Sequence, residues 1–321
     1  MAAAKLLTVA MVLWFVRNEI HGAIVKLRTD PPEFQLVWLI LSGGLYLAAM
    51  LPAGLFWHGV LKALGQNVPV GRTLRAYFIG HLGKYVPGKA MVVVLRAGLL
   101  SSPKTDTSLA AVSVFVETLT MMAVGASIAA VILLVYPVGD PRYFLAALAC
   151  TAAVAGPTVP PVFRRLVPLL GVGRSDPEII GKLRGLTLGT LLQGWLAMAI
   201  AWLIMGMSLW AALRGIGGNA ELSGHLLRCV AAISLATVVG FLTMVPAGLG
   251  TREGALILML APLFGEAAAV SASVVLRLVS VLAELVISGA LYFVGSRDRD
   301  AIVAPCPAEQ AELSGSPTNL R

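Results

Sequence analysis

Charged residues follow a break rich in Pro and Gly within otherwise apolar sequence. The break, VPAGLGTREG at residues 245–254, lies between apolar runs of about seventeen residues (229–245) and ten residues (255–264). Non-helical backbone at membrane depth is tolerated only where it is buried in protein or lines a wet cavity. Charged groups at that depth mark functional sites by default. The candidate residues of this break are Pro246, Gly248, Gly250, Arg252 and Glu253.

An earlier break, GKYVPGK at residues 83–89, has the same features. It supplies Lys84 and Lys89, and Arg96 follows in the next apolar run. The apolar legs on its two sides are residues 74–86 and 90–100, each shorter than the ~18 residues that a crossing helix needs. We therefore predict a re-entrant hairpin here and a second one around Pro246.

The two breaks bring many cations close to membrane depth. Five are candidates, namely Lys84, Lys89, Arg96, Arg252 and Arg277, and the acids available to balance them are Glu117, Glu253 and Glu284. Arg holds a phosphate with two parallel hydrogen bonds, and Lys binds it as a point charge. Helix N-termini after each break would also favour an anion. This pattern predicts a site for an anionic, phosphate-bearing lipid head group.

Structural roles for the same residues remain open. Arg252 and Glu253 could neutralise other groups in the break, and the basic residues of the first break could lie under anionic lipid heads. Arg277 and Glu284 are seven residues apart on one helix face, and each is expected to pair with a residue on another span. Glu117 is alone in its span and needs either a partner or a proton.

The composition places the chain in a membrane. Of 321 residues, 58% are hydrophobic and 12% are charged, and the mean hydropathy is +0.87. Soluble domains carry about 25% charged residues. The net charge of +8 is explained by loop Lys and Arg that set orientation, so no nucleic-acid partner is expected. The three Cys and four His are scattered, so neither a metal nor a cofactor is expected.

The apolar runs predict an all-α polytopic membrane protein. About six full spans accompany the two hairpins, at residues 6–16, 34–57, 108–136, 143–162, 186–213 and 267–294. Residues 1–295 form one transmembrane domain, and the polar residues 296–321 are expected to be a disordered cytoplasmic tail. The first apolar run is short, so whether it spans fully stays open.

The positions of Lys and Arg predict the orientation. The basic segments 58–107 and 163–185 are expected in the cytoplasm, with both termini on the same side. The two hairpins then enter from opposite faces, each between two full spans. The distance from Pro87 to Glu117 is 30 residues and that from Pro246 to Arg277 is 31. Matching interrupted segments in two halves predict an inverted-topology repeat with a transporter site.

At this point the motifs resemble a known family. GKYVPGK with Arg96-Ala97-Gly98 is similar to the GKxxPGK…RA signature of the lysylphosphatidylglycerol synthase membrane region, and residues 246–254 resemble its PGGLGxREG signature, with Ala247 in place of a Gly. Leu276-Arg277-Leu278 resembles a third marker. The resemblance covers about residues 1–295. It implies a flippase-like protein of the inner membrane that moves lipids between leaflets, without the aminoacyl-transferring activity of the cytosolic synthase domain.

Two other classes of function stay open. The sequence has no nucleophile elbow, zinc-protease motif or phosphate-binding Gly loop, so an enzyme is not expected. A membrane-embedded transferase using Glu117 or Glu253 as a base is the enzymatic alternative. The third class is a non-catalytic membrane partner of a lipid- or envelope-modifying enzyme. Which lipid is moved, and whether the chain forms a homo-oligomer, does not follow from the sequence.

Overall fold

Helices account for nearly all of the chain that the computed structural model describes. It describes residues 34–86, 90–102, 105–137, 140–158, 162, 181–218, 221–243, 245 and 248–303. The α-helices within these residues are α1 (Leu36–Ala63), α2 (Val70–His81), α3 (Ala90–Leu100), α4 (Thr107–Val135), α5 (Arg142–Ala155), α6 (Leu188–Gly215), α7 (Leu222–Leu242), α8 (Thr251–Phe264) and α9 (Glu266–Val303). The prediction of an all-α membrane protein is confirmed for this part of the chain.

Five described helices are long and apolar enough to cross a membrane. Four of them, α1, α4, α6 and α9, coincide with predicted spans. The fifth is α7, which was expected only as a leg of the second hairpin. It begins at Leu222, earlier than expected, because it takes in His225 and Arg228, polar residues that a helix tolerates near the membrane surface.

The prediction of six full spans is therefore not confirmed as it was made. The segment predicted as a span at residues 143–162 forms a helix of only 14 residues, α5, followed by a short 3-10 turn at Gly156–Thr158. The predicted first span, at residues 6–16, lies outside the described residues. Helix α9 continues to Val303, so the first eight residues of the segment predicted as disordered are helical.

Helices α1 and α6 run antiparallel and are in contact along most of their length. The backbone N–H of Gln35, just before α1, donates to the carbonyl of Gly215 at the end of α6 (2.8 Å). Further along α1, the Ser42 hydroxyl donates to the backbone carbonyl of Ser208. Near the other end, a Cβ on Gly194 would lie 2.4 Å from the Phe56 ring. The contacting residues rise in number along α1 as they fall along α6, so the two helices are antiparallel. Their close approach at Gly194 is possible because glycine has no side chain.

The helices form two units whose packing partners correspond. The first unit contains α1 to α4 and the second contains α6 to α9. The correspondence exchanges α1 with α6, α2 with α7, α3 with α8 and α4 with α9. Under this exchange, α4 packs on α7 as α9 packs on α2, and α4 packs on α6 as α9 packs on α1. Helix α5 stands outside this pattern and packs mainly against α4.

Each unit contains two consecutive helices separated by a break. In the first unit, α2 passes into a 3-10 turn (Leu82–Tyr85) before α3 begins at Ala90. In the second unit, α7 ends at Leu242 and α8 begins at Thr251, as expected for a helix N-terminus after the second break. Pro87, Gly88, Pro246 and Ala247 lie outside the described residues.

Glycine allows the two helices of each broken pair to cross closely. A Cβ on Gly80 of α2 would lie 2.4 Å from the Cγ atom of Arg96 in α3. A Cβ on Gly240 of α7 would lie 3.0 Å from the Cβ of Arg252 in α8. The two glycines are 160 residues apart, the same separation as Glu117 and Arg277. The breaks therefore occupy corresponding places in the two units.

Two tryptophans fix the core around α4. The Trp57 indole of α1 donates to the Ser113 hydroxyl (2.8 Å), and the Trp202 indole of α6 donates to the Met121 carbonyl (3.0 Å). Both side chains are fully buried. Burial of a tryptophan is favourable when its N–H finds an acceptor, so these bonds hold α1 and α6 against α4. This framework carries the charged residues of the two broken pairs.

Candidate functional site

Helix α9 carries the two residues on which the broken pairs converge. Arg277 and Glu284 are each at least ten residues from either end of the apolar span Glu266–Val294, which places them about 15 Å from its ends. Their spacing of seven residues puts them on one face, two turns apart. Each pairs with a residue of a different broken pair, as the sequence had suggested.

Glu284 is the acceptor for three side chains, and a fourth lies beside them. The Lys84 ammonium lies 2.5 Å from Glu284 Oε1, and the Tyr46 hydroxyl donates to the same oxygen. The Tyr85 hydroxyl donates to Oε2 at 3.0 Å. His81 Nε2 lies 3.6 Å from the carboxylate and 3.1 Å from Lys84 Nζ. The cluster joins α1, the first break and α9.

The two sides of this cluster differ in access. The Glu284 side chain is 1% exposed, whereas the side chains of Lys84 and His81 are 22% and 21% exposed. Lys84 Nζ also lies 5.1 Å from the centre of the Tyr85 ring. A molecule approaching the cluster therefore meets the basic residues first, and the carboxylate lies behind them.

Arg277 pairs with Glu253, which belongs to the second break. Glu253 also accepts from the backbone N–H of Gly250 through its other oxygen (2.8 Å), and so satisfies a free donor at the start of α8. We expected this helix N-terminus to attract an anion. The structure places the carboxylate of Glu253 there, within the same first turn.

Positive φ angles at two glycines make the turn before α8. Gly248 has φ +68° and Gly250 has φ +75°, values that residues with a side chain rarely adopt. The hydroxyl of Thr251 donates to the Gly248 carbonyl (3.1 Å) and meets that of Thr243 (3.0 Å), which fastens the turn to the end of α7. Gly248 and Gly250 therefore form the turn that leads from α7 into α8.

Arg96 and Glu117 form a third ion pair, in the first unit. Arg96 Nη1 lies 2.7 Å from Glu117 Oε2, and each residue is 2% exposed. The guanidinium carbon lies 4.0 Å from the centre of the Tyr77 ring and 5.3 Å from that of Trp57. The Tyr77 hydroxyl donates to the other Glu117 oxygen (3.2 Å). The lone acid of α4 therefore has a partner, and aromatic rings enclose it.

The pairs in the two units correspond, but their charges are exchanged. In the first unit, the cation Arg96 on α3 binds the anion Glu117 on α4. In the second unit, the anion Glu253 on α8 binds the cation Arg277 on α9. Each pair ties the helix after the break to the long helix that follows. Three of the five candidate cations are thus neutralised by the three candidate acids.

Arg252 is the remaining described candidate cation. It is half-buried at the start of α8 and belongs to none of the ion pairs found among the described residues. Lys89 and Pro246, the other two candidates, lie outside the described residues.

Several aromatic residues of the site were missed by sequence reasoning. Tyr46, Tyr77 and Tyr85 each donate to a buried carboxylate, and His81 lies beside Lys84. Tyr85 lies inside the first motif, where its position next to Lys84 was a usable signal. No comparable signal marks Tyr46, because its partner Glu284 is 238 residues away.

A family model matches nearly the whole chain. The model for the lysylphosphatidylglycerol synthase TM region matches residues 2–288. The chain belongs to this family. The match includes both breaks, the residues of the three ion pairs described above, four of the five apolar helices and most of the fifth, so this member of the synthase TM family is a multi-pass membrane protein. No curated protein matches the chain. Among the residues that the structure describes, no three His, Cys, Asp or Glu side chains are grouped to hold a metal ion.

Proposed function

We propose that this protein translocates an anionic, phosphate-bearing lipid between the leaflets of the inner (cytoplasmic) membrane. The observation that carries the proposal is the convergence of both breaks on one face of α9, through Lys84–Glu284 and Glu253–Arg277. Broken helices that meet at mid-span are typical of transporter substrate sites. A site there is within reach of a lipid head group whose acyl chains stay in the bilayer.

The two units are an inverted-topology repeat in this proposal. Support comes from the antiparallel contact of α1 with α6, since these are corresponding helices and both are long enough to cross a membrane. Corresponding spans that run in opposite directions place the two breaks on opposite sides of the membrane. The charge distribution adds that the first break faces the cytoplasm, with both termini on that side.

The charge available to the lipid is smaller than the count of cations suggests. Arg96 is enclosed with Glu117, and Arg277 is bound to Glu253. Among the described residues of the site, the accessible positive charge is on Lys84 and Arg252. These side chains can balance the negative charge of one phosphate, and the Arg252 guanidinium can donate two parallel hydrogen bonds to it.

Transport rather than catalysis is the activity that we propose. The three acids that a transferase would need as a base are each bound by an Arg or a Lys. These groups are arranged to fix helices and to balance charge.

Reconstitution in liposomes tests the proposal. The protein is incorporated into vesicles with a fluorescent phosphatidylglycerol, and dithionite then quenches the probe in the outer leaflet. We expect the wild-type protein to expose the inner-leaflet probe to quenching and Arg252→Ala to abolish this exposure. Arg142→Ala is the matched control, because Arg142 is an exposed residue at the start of α5 whose side chain pairs with Asp140 at 3.6 Å.

Two other outcomes point to the alternative functions. Absence of translocation for every lipid tried, with an enzyme that co-purifies stably, favours a non-catalytic membrane partner of that enzyme. Recovery of a chemically altered lipid favours a membrane-embedded transferase. Either outcome contradicts the transport proposal.

A further inference from the structure

Lys84–Glu284 differs from the other ion pairs because it joins the two units. Lys84 belongs to the first break and Glu284 belongs to α9 of the second unit. Arg96–Glu117 lies within the first unit and Glu253–Arg277 lies within the second. When the units move relative to each other, pairs inside a unit travel with it. A pair between units has to break or stretch.

The inter-unit pair also has no counterpart in the internal correspondence. The residues 160 positions from Lys84 and Glu284 are Met244 and Val124, and neither is charged. Of the other two pairs, Glu117 corresponds to Arg277 at this separation, and each pair ties the helix after a break to the long helix that follows. Lys84–Glu284 is therefore an addition to the repeated framework.

We infer that Lys84 is the contact for the substrate phosphate and that Glu284 is its resting counter-ion. An arriving phosphate takes Lys84 from Glu284 and so removes the ion pair between the two units, while the hydrogen bonds from Tyr46 and Tyr85 to Glu284 remain. This inference rests on the proposed transport of an anionic lipid and specifies how its head group is received. Binding of the phosphate and loss of the Lys84–Glu284 ion pair are then one step, in which the Lys84 ammonium changes its partner.

The surroundings of Lys84 permit this exchange. Its side chain is 22% exposed, and a Lys ammonium on four flexible carbons can turn from one anion to another. Glu284 keeps two hydrogen bonds when Lys84 leaves, from the hydroxyls of Tyr46 and Tyr85. The buried carboxylate is therefore never left without donors. His81 lies 3.1 Å from the ammonium, and its side chain is 21% exposed.

The other two pairs are built differently. Arg96 and Glu117 are each 2% exposed and lie against aromatic rings, so no anion reaches the guanidinium without unpacking α3 from α4. Glu253 is held by the Gly250 backbone as well as by Arg277. These pairs keep each unit rigid, and the accessible Lys84 exchanges its partner.

Binding measurements on the full chain in an uncharged detergent test this inference. Isothermal titration calorimetry with a short-chain phosphatidylglycerol gives the affinity, and short-chain phosphatidylcholine is the neutral control. Glu284→Gln removes the competing charge and keeps a side chain that both tyrosines can bond. We expect it to tighten binding of phosphatidylglycerol by roughly tenfold. Glu266→Gln, an exposed glutamate at the start of α9, is the matched control and leaves the affinity unchanged.

A second variant separates substrate contact from a purely structural link. Lys84→Glu combined with Glu284→Lys restores the ion pair but moves the cation to the enclosed side. We expect this double variant to be as stable as the wild type and to bind phosphatidylglycerol no better than phosphatidylcholine. Lys84→Arg keeps binding. Competition by glycerol 3-phosphate shows that the phosphate alone suffices, whereas its failure shows that the acyl chains are also needed.

The outcomes distinguish the inference from the transport proposal. Suppose that the wild-type protein binds and translocates phosphatidylglycerol but Glu284→Gln binds it no more tightly. The proposed change of partner at Lys84 is then wrong, and the transport proposal stands. Wild-type affinity in the charge-swapped double variant also overturns the exchange. If neither the wild type nor any variant binds or moves the lipid, the transport proposal fails and the exchange fails with it.

Discussion

Ser42 and Ser208 exchange hydrogen bonds across the contact between α1 and α6. Each hydroxyl donates to the backbone carbonyl of the other residue at 2.8 Å, and both side chains are fully buried. Reciprocal bonds of this kind arise where two corresponding helices meet face to face. Small residues at such a contact let two helices in a membrane approach closely.

The close contact of α1 with α6 predicts a steric effect at Gly194. Gly194→Leu should lower the midpoint of thermal unfolding in detergent, because even its Cβ would overlap the Phe56 ring. Overpacking of this kind typically costs 1–3 kcal/mol. Gly59→Leu, on the exposed side of α1 with open space around its Cβ, is the control and should leave the midpoint nearly unchanged. Equal effects of the two substitutions would contradict the packing described for α1 and α6.

The enclosed pair Arg96–Glu117 predicts an asymmetry between single and double substitutions. Glu117→Leu should destabilise the protein by about 3–5 kcal/mol, because it leaves Arg96 buried without its counter-ion. Arg96→Met combined with Glu117→Leu should recover much of that loss, since no buried charge is left. Unfolding by a denaturing detergent measures both effects. A double variant less stable than Glu117→Leu would show that the charges contribute more than their mutual neutralisation.

The left-handed backbone at Gly250 predicts opposite effects for two neighbouring glycines. Gly250→Ala should destabilise the protein by about 1–2 kcal/mol, because an L-residue is strained at φ +75°. Gly254→Ala, inside α8 with no atom near its Cβ, should be neutral or stabilise by up to about 1 kcal/mol. Thermal unfolding of the two variants checks this. Similar changes in both would mean that the turn at Gly250 does not depend on its φ angle.

The inverted relation of the two units predicts labelling from opposite faces. In a background with Cys150, Cys229 and Cys306 replaced, single cysteines are introduced as Lys89→Cys and Leu249→Cys, the latter at an exposed residue. A membrane-impermeant maleimide applied to sealed right-side-out or inside-out vesicles should label one site in each orientation. Labelling of both sites from the same face would end the inverted-repeat proposal.

Much of the fold followed from local sequence, because helix formation in a membrane depends on neighbouring residues. The apolar runs located α1, α4, α6 and α9. Segment α5 was overestimated in length, and α7 was underestimated because His225 and Arg228 interrupt its apolar pattern. The start of α8 after Gly250 was also predictable, since a glycine followed three residues later by a glutamate is a local signal of a helix N-terminus.

The sequence by itself determined that this chain is an apolar, helical membrane protein with two charged breaks, because composition and local spacing carry that information. Only the tertiary structure decided which charges meet. Lys84 and Glu284 are 200 residues apart, and nothing in either neighbourhood indicates that α9 brings them together. The apparent excess of cations largely disappears once these pairs form. Pairing depends on how distant helices pack, and that packing is set by the whole chain rather than by the residues beside each charge.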